Sequence, residues 1–388
     1  MLRVQQDWHP HVQPLLAPLE QLLRSSYRPR QSGKNQKDLV RAHAHALRKL
    51  SGRFTDRRSE RKAGYMASPE SRAAYLLYYV LTGAATIQAA LYRSAWRAPK
   101  VEGRSLRVLD LGAGPMTASL GFALIYDGPI DITAVDASRA ALQDGKRLMK
   151  EVRPDVRVKL IDGNLRDGRL RQHLGQDYDL ILCSNVLNEF PEAVRRERDR
   201  PSAALKLVSD LLTRRLSSHG RVLLVEPASR SASNVLIRLR DRLVAEERGQ
   251  ILGPCVGTDR CPLGGAKARN WCHSELPWRR PRLVEDCDRL LGHRRDRLKW
   301  SWLLLSPPST PCTAHRDSVY RVIGGVMGDN PRKRYLCGNR GRVTAVQTRE
   351  RHSVWQAWRG ELTEISSRVQ TAPWGERLIK VQDKGRGQ

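Results

Sequence analysis

The chain has 388 residues, enough for two or three domains or for one large core with additions. Hydrophobic residues make up 40% of it, and with only three Phe the packing must fall to Leu, Val and Ala. Lys and Arg number 69 against 40 Asp and Glu, so the formal net charge is +29; a surface of this sign attracts polyanions, nucleic acid first and an anionic membrane as the alternative, and its bias toward Arg suits bidentate phosphate contacts.

Residues 1 to about 95 read as helical. Met1 to Asp7 lack an apolar h-region, so no secretory signal is expected. Helix-period apolar positions run from Val12 to Leu23 and from Lys37 to Leu50, with a polar, basic loop between them. Arg53 to Lys62 is dense in Arg and Lys, and reads equally well as a phosphate contact or a solvated linker. Ala73 to Tyr92 is the longest N-terminal helix; Thr82, Gly83, Thr86 and Gln88 within it favour a buried helix over a membrane span.

From Arg104 strands and helices alternate. Strands are expected at Leu106–Leu111, Ile130–Val135, Val156–Ile161, Tyr178–Cys183 and Arg221–Val225, and helices at Thr117–Ile125, Ser138–Val152, with Ser138 as N-cap, and Ala203–Leu216. This rhythm predicts an α/β fold with a parallel, doubly wound sheet. Residues 250–280, rich in Gly, Pro, Cys and Trp, interrupt it. Leu283, Val284, Cys287, Leu290 and Leu291 mark one more helix face. Leu298–Leu305 and Val319–Val326 are expected to close as an antiparallel pair, and beyond Arg332 the chain reads as β-rich with a basic tail. The expected domains are a helical region at 1–95, a Rossmann-like core at 96–310 with the Cys-rich insertion 250–280, and a β-rich region at 311–388.

The first strand ends in Asp110-Leu111-Gly112-Ala113-Gly114. Gly112 and Gly114 let backbone approach a ligand, and the helix start behind them offers N–H groups. The third position of a dinucleotide fingerprint is Thr117 rather than Gly, and Pro115 intrudes. Asp136 ends the second strand, where a carboxylate can accept both ribose hydroxyls. Asp162 ends the third. All three acids fall at the carboxyl ends of strands, the ligand side of an open α/β sheet. The pattern Asp-x-Gly-x-Gly resembles class I methyltransferases. That resemblance implies S-adenosylmethionine as cofactor, with Asp110 orienting its amino group, Asp162 near the adenine, Asn185 as a further cofactor contact, and Asn185, Asn188 and Glu189 after the fourth strand as candidate catalytic, substrate-handling residues. No catalytic base or Cys nucleophile stands out, and Cys183 reads as core.

Seven cysteines in a chain without an evident secretory signal point to a reducing compartment, where spaced cysteines more often bind metal than form disulfides. Cys255, Cys261 and Cys272 lie within eighteen residues, and short loops let such thiols converge on one centre. A fourth ligand must come from afar. Cys337, Cys312, Cys287 and His273 are the candidates, and Cys337, at a turn-flanked strand end, is preferred.

These pieces in order resemble a family of methyltransferase-like small-ribosomal-subunit assembly factors, known from mitochondria and with bacterial relatives. They are Ala74-Tyr75-Leu76; Asp110 to Pro115; Asn185-Val186-Leu187-Asn188-Glu189; Leu224-Val225-Glu226-Pro227 before an Arg-bearing helix; Cys255; Cys261-Pro262-Leu263; Trp271-Cys272-His273; and Leu336-Cys337 before Gly341. The resemblance spans about residues 60–350. It implies that Cys255, Cys261, Cys272 and Cys337 hold a 4Fe–4S cluster and that the protein binds small-subunit rRNA, as a monomer and away from membrane, in the bacterial cytoplasm or the mitochondrial matrix. Where that family commonly has Pro-His after the first Cys, this chain has Val256-Gly257. Three readings follow: an assembly factor using the cofactor fold as a scaffold, an active rRNA methyltransferase, and a zinc-stabilised nucleic-acid-binding protein with a non-catalytic core. Trp271, Trp278, Trp300 and Trp302, interleaved with Arg269, Arg279 and Arg280, are candidates for base stacking and phosphate contact, with Trp300 and Trp302 expected in the core.

Overall fold

The structure is a computed structural model, and it describes residues 15–27, 36–55, 65–94, 96–99, 101–165, 167–189, 203–257, 260–264, 271–310, 315–347, 353–373 and 375–381. Arg269, Cys312, most of the basic run 53–62 and the basic tail beyond 381 lie outside these residues. Two compact units emerge, each assembled from separate stretches of chain. One comprises 1–186, 215–220 and 277–298; the other comprises 187–214, 221–276 and 299–388.

The first unit holds helices α1 (Ala17–Ser26), α2 (Gln36–Ala42) and α3 (Ala44–Thr55), so the second expected helix is broken at His43. Helix α4 runs Pro69–Ser94. Ser68 caps it, its hydroxyl accepting from the Ser71 N–H at 3.3 Å, and a π-helical turn spans Tyr75–Tyr79. By length and composition α4 is apolar enough to cross a membrane, but Val80, Leu81, Ala84, Ala85, Ile87, Ala89, Ala90 and Leu91 are buried in this unit. There follow β1 (Leu106–Leu111), α5 (Thr117–Ala123), β2 (Ile130–Asp136), α6 (Arg139–Val152), β3 (Arg157–Asp162) and β4 (Tyr178–Ser184). These strands pair in parallel in the order β3-β2-β1-β4, with Val108 opposite Ile132 on one side and Leu180 on the other. Parallel central strands are covered on both faces, which is why β1 and β4 read as apolar runs rather than alternating ones. The Ser138 hydroxyl accepts from the Ala141 N–H at 3.3 Å, the cap expected for α6.

Helices α4 and α5 touch where neither has bulk. A Cβ on Gly121 would sit 2.7 Å from the Ala84 carbonyl oxygen, and one on Gly83 would sit 2.5 Å from Thr117 Cγ2. Gln88, fully buried, closes this contact by donating to the Gly121 carbonyl (3.2 Å) and exchanging hydrogen bonds with the Leu15 backbone. The unit is completed by α9 (Arg282–Leu291), whose Asp288 receives the Tyr78 hydroxyl and pairs with Arg280 at 2.8 Å.

The second unit carries α7 (Ala203–Arg214), most of β5 (Leu216–Pro227), α8 (Arg230–Ala245), β6 (Gln250–Gly253), β7 (Ser274–Pro277) and β8 (Arg297–Ser306). Here β8 runs antiparallel to both β5 and β6, and also pairs with β7. A separate six-stranded sheet has the order β12-β9-β10-β11-β14-β13, from β9 (Val319–Met327), β10 (Lys333–Gly338), β11 (Gly341–Gln347), β12 (Leu362–Glu364), β13 (Val369–Thr371) and β14 (Arg377–Val381). Its core gathers Tyr320, Val322, Leu336, Val343, Ala345, Val354, Ile365, Ile379 and Val381. The expected pairing of 298–305 with 319–326 is therefore corrected. Trp300 to Leu305 is buried throughout because β8 has neighbours on both edges, and the Pro-rich link after it delivers β9 to the other sheet. The α/β, Rossmann-like class with a β-rich C-terminal part stands.

Substituting Gly121 by Ala forces the α4–α5 contact apart against backbone atoms. The expected loss is about 1–3 kcal/mol of stability, read by thermal or urea unfolding; an unchanged midpoint would contradict this packing.

Candidate functional site

The turn after β1 is built for close backbone. Gly112 has φ +64° and Gly114 φ +51°, and a Cβ on Gly112 would strike Val186 Cγ2, whereas one on Gly114 would meet nothing within 4 Å. Gly114 therefore faces open space while its partner is packed from behind. The Ala113 N–H donates to the Val135 carbonyl at 3.0 Å, pinning the turn to β2. Pro115 lies against α6, where a Cβ on Gly145 would approach its carbonyl carbon to 2.5 Å. Thr117, in the place of a third fingerprint glycine, packs its methyl at Gly83, so the small residue that this crossing needs sits on α4 instead.

Asp136 organises the edge. One carboxylate oxygen accepts from the Gly114 N–H (2.8 Å), the other from the Ser138 N–H (2.7 Å). Each oxygen keeps lone-pair capacity for a further donor. Burial raises its pKa most, the two N–H bonds oppose this, and Asp162 adds a repulsion that also raises it. Asp162 is exposed, directly opposite Asp136 in the β2–β3 register. Asp110 is buried, and its carboxylate accepts from both the N–H (3.1 Å) and the hydroxyl (2.6 Å) of Ser119 in the first turn of α5. Burial raises its pKa to about 7. Asn185 is exposed with φ +60°, Asn188 is half-buried, and the Glu189 side chain lies outside the described atoms. The structure thus gathers Asp110, Gly112, Gly114, Asp136 and Asp162 at one end of the parallel strands. Ser119 went unread in the sequence, because its bond to Asp110 spans the whole turn from β1 to α5 rather than a local cap spacing.

In the second unit Cys255 follows β6, Cys261 lies in the next loop, Cys272 precedes β7 and Cys337 is near the end of β10. Gly257 allows the convergence: a Cβ there would be 2.5 Å from the Asn339 carbonyl oxygen in the β10–β11 hairpin, so the Cys255 loop lies backbone-to-backbone on the turn beside Cys337. The Asp241 carboxylate accepts from the Cys261 N–H at 2.9 Å, and the Cys272 carbonyl accepts from the hydroxyls of Ser233 (2.7 Å) and Ser301 (2.9 Å). Cys261, Cys272 and Cys337 pack with Ile237, Leu263 and Ile323. Burial pushes the Cys261 thiol up to about 11 and that of Cys337 to about 12, and raises Cys272 further. Mutual repulsion raises these three as well, Cys255 acting on each of them, so the four sulfurs share one electrostatic neighbourhood. All four are free thiols. Among the described residues, however, no group of three or more His, Cys, Asp or Glu side chains is set to hold a metal ion. Cys287 is core in α9 and Cys183 core in β4, as expected. His273 is buried with Nε2 at 3.1 Å from Glu275, whose carboxyl it holds down at about 2.

The aromatic expectations need correcting. Trp278 is buried and donates its indole N–H to the Arg295 carbonyl, and Arg280 is bound to Asp288, so neither is presented to a ligand. Trp300 and Trp302 are core. Trp271 is half-buried, donates to the Ala228 carbonyl and stacks on His273; Arg279 is exposed.

Residues 69–307 match the family model described as mitochondrial small ribosomal subunit Rsm22, which is more than half of the chain. The chain belongs to this family. The resemblance read from the cysteine and Asp-x-Gly-x-Gly segments is borne out. No curated protein matches the Rsm22-family chain significantly. Similar solved structures include a ribosomal protein L11 methylase from Lactobacillus delbrueckii subsp. bulgaricus (16% identity, 57% of this chain and 78% of that one, TM-score 0.31). A fibrillarin from Aeropyrum pernix with natively bound S-adenosyl-L-methionine has 18% identity over 44% and 70% (TM-score 0.29), and a precorrin-6y C5,15-methyltransferase from Geobacter metallireducens GS-15 has 12% over 57% and 87% (TM-score 0.31).

Asp110 sets a pH dependence. Its native pKa of about 7 exceeds the ordinary 3.8, so the native state holds a proton that the unfolded chain releases. Stability from this group is present at low pH and falls as pH rises between these values, by up to about 4 kcal/mol. Asp110→Asn retains an acceptor for Ser119 and cannot ionise. Its unfolding free energy should match wild type near pH 4 and exceed it at pH 8. Because Asp136 contributes a slope of the same sign, the difference between the two proteins is the readout; a pH-independent difference would refute the assignment.

Proposed function

We propose that this Rsm22-family protein is an S-adenosylmethionine-binding, 4Fe–4S-containing factor that binds small-subunit rRNA and assists assembly of the small ribosomal subunit. It works in the mitochondrial matrix of a eukaryote or in the cytoplasm of a bacterium. The observation that carries this reading is the convergence of four half-buried cysteines from separate segments into one neighbourhood, in a chain of net charge +29.

Cys255, Cys261, Cys272 and Cys337 would hold the cluster. Four thiols and a largely apolar wall are the donor chemistry such a cluster takes. A single tetrahedral zinc needs its sulfurs about 3.8 Å apart, from bonds of about 2.3 Å. Among the described residues no group of three or more His, Cys, Asp or Glu is set to hold a metal ion, so the cluster reading rests on the donor chemistry and the shared neighbourhood of the four thiols. For the cofactor, the open face of Gly114 and the spare capacity of Asp136 support a ligand lying along the carboxyl ends of β1 and β2, with Asp162 beside it. Asp110 holds the start of α5 rather than reaching outward. Among the described residues no side chain is placed as a nucleophile, and methyl transfer, where it occurs, is left to Asn185, Asn188 and Glu189.

Protein purified anaerobically should be brown, absorb near about 400 nm, contain iron and sulfide, and bind S-adenosylmethionine by calorimetry. Cys337→Ser should lose most of the iron. Gly114→Val, forced to positive φ, should weaken cofactor binding by about tenfold or more. Colourless protein carrying zinc would favour a zinc-stabilised nucleic-acid-binding protein instead, and label passing from methyl-tritiated cofactor to small-subunit rRNA would establish an active methyltransferase.

On a small-subunit rRNA fragment, affinity should fall with salt. Arg279→Ala should flatten the log–log slope by about one unit, as for one lost phosphate contact. Arg280→Ala, which breaks the pair with buried Asp288, should lower stability and leave the slope unchanged. An unaltered slope for Arg279→Ala would remove that residue from the interface.

A further inference from the structure

Two buried arginines, Arg240 and Arg321, and the half-buried Arg359 lie around the four cysteines, each held by a backbone carbonyl. Arg240 on α8 donates to the Gly257 carbonyl at 2.7 Å and pairs with Asp241 at 2.8 Å, and its guanidinium also reaches Cys255. Arg321 on β9 stands directly opposite Cys337 in the β9–β10 register, donates to the Gly360 carbonyl and lies 6.0 Å from the Trp302 ring centre. Arg359 donates to the Trp271 carbonyl at 2.7 Å, one residue before Cys272, and is charge-coupled to that thiol. Burying a guanidinium is costly unless negative charge accompanies it. Among the described residues Asp241 pairs with Arg240 and Glu275 acts on Arg359, and Glu275 is also engaged by His273 and Lys299. Three cations are thus fixed against a site whose ligands would be thiolates, and thiolate ligation makes a site anionic.

We infer that Arg240, Arg321 and Arg359 are positioning and charge-balancing residues that stabilise a thiolate-bound iron–sulfur centre and raise its reduction potential; this rests on the cluster reading above. Net charge and hydrogen bonding around ligand sulfurs set the potential of such centres. One-electron reduction adds negative charge, so a nearby guanidinium favours the reduced form. Arg240 also acts on the backbone. Together with Asp241, which accepts from the Cys261 N–H, it ties both ends of the 255–261 loop to α8.

The test uses full-length protein purified anaerobically, titrated with dithionite as electron donor and followed by electron paramagnetic resonance and visible absorption. Arg321→Met should shift the midpoint potential to more negative values, and Arg321→Lys should restore it most of the way. Arg240→Met should in addition lose iron to a chelator faster than wild type, with Arg240→Lys intermediate. Brown Met variants with wild-type potential and wild-type iron retention would overturn the inference. So would Lys variants that behave as the Met ones, since charge would then not be the cause. Should Lys and Met variants both unfold, the guanidiniums serve packing alone and the inference falls. Wild-type protein without iron or sulfide removes the cluster reading itself, a result distinct from unchanged potentials in a brown protein.

Discussion

The ligand-side edge of the parallel sheet hangs on one carboxylate. Asp136 takes the Gly114 N–H on one oxygen and the Ser138 N–H on the other, so a single side chain joins the turn after β1 to the start of α6. The turn's other tie to β2 is the Ala113 N–H to the Val135 carbonyl, so Asp136 supplies a second hold on the same strand. Both N–H bonds act against the cost of burying the carboxylate, and the remaining lone pairs point to what the edge is for. Behind it Asp110 does the same for α5 through Ser119. These two acids divide the work: one fixes a helix from inside the core, and the other fixes a turn at the surface of the site.

The second unit uses the same device with its charges exchanged. There the buried groups needing compensation are guanidiniums, and the segments being tied are cysteine loops. Arg240 and Asp241, adjacent on α8, grip the 255–261 loop at two points, while Gly257 lets that loop rest on the hairpin beside Cys337. Gly257 thereby has a local explanation: a Cβ there would sit 2.5 Å from the Asn339 carbonyl oxygen.

Much of the first unit was legible from residues in order. Apolar runs ending in Asp110, Asp136 and Asp162 became three adjacent parallel strands, and the Ser138 cap formed where its spacing indicated. Local rules sufficed because each feature depends on neighbours a few residues away. The second unit was less legible. β8 and β9 are both apolar and adjacent in sequence, and pattern alone cannot say that they enter different sheets. Trp278 and Arg280 looked like a nucleic-acid surface, yet partners at Arg295 and Asp288 bury one and occupy the other.

By itself the sequence determined the strand–helix alternation, the glycine turn with its three acids, the excess of positive charge and the membership of a family recognisable by its cysteines. Tertiary structure alone decided that Cys337 joins three thiols more than sixty residues away, that Arg321 stands opposite Cys337, and that the Asp110 carboxylate accepts from Ser119. Helix caps and strand runs are written in short-range spacing. Which buried charges meet is settled only when distant segments close the same low-dielectric space, where leaving either sign alone would cost too much.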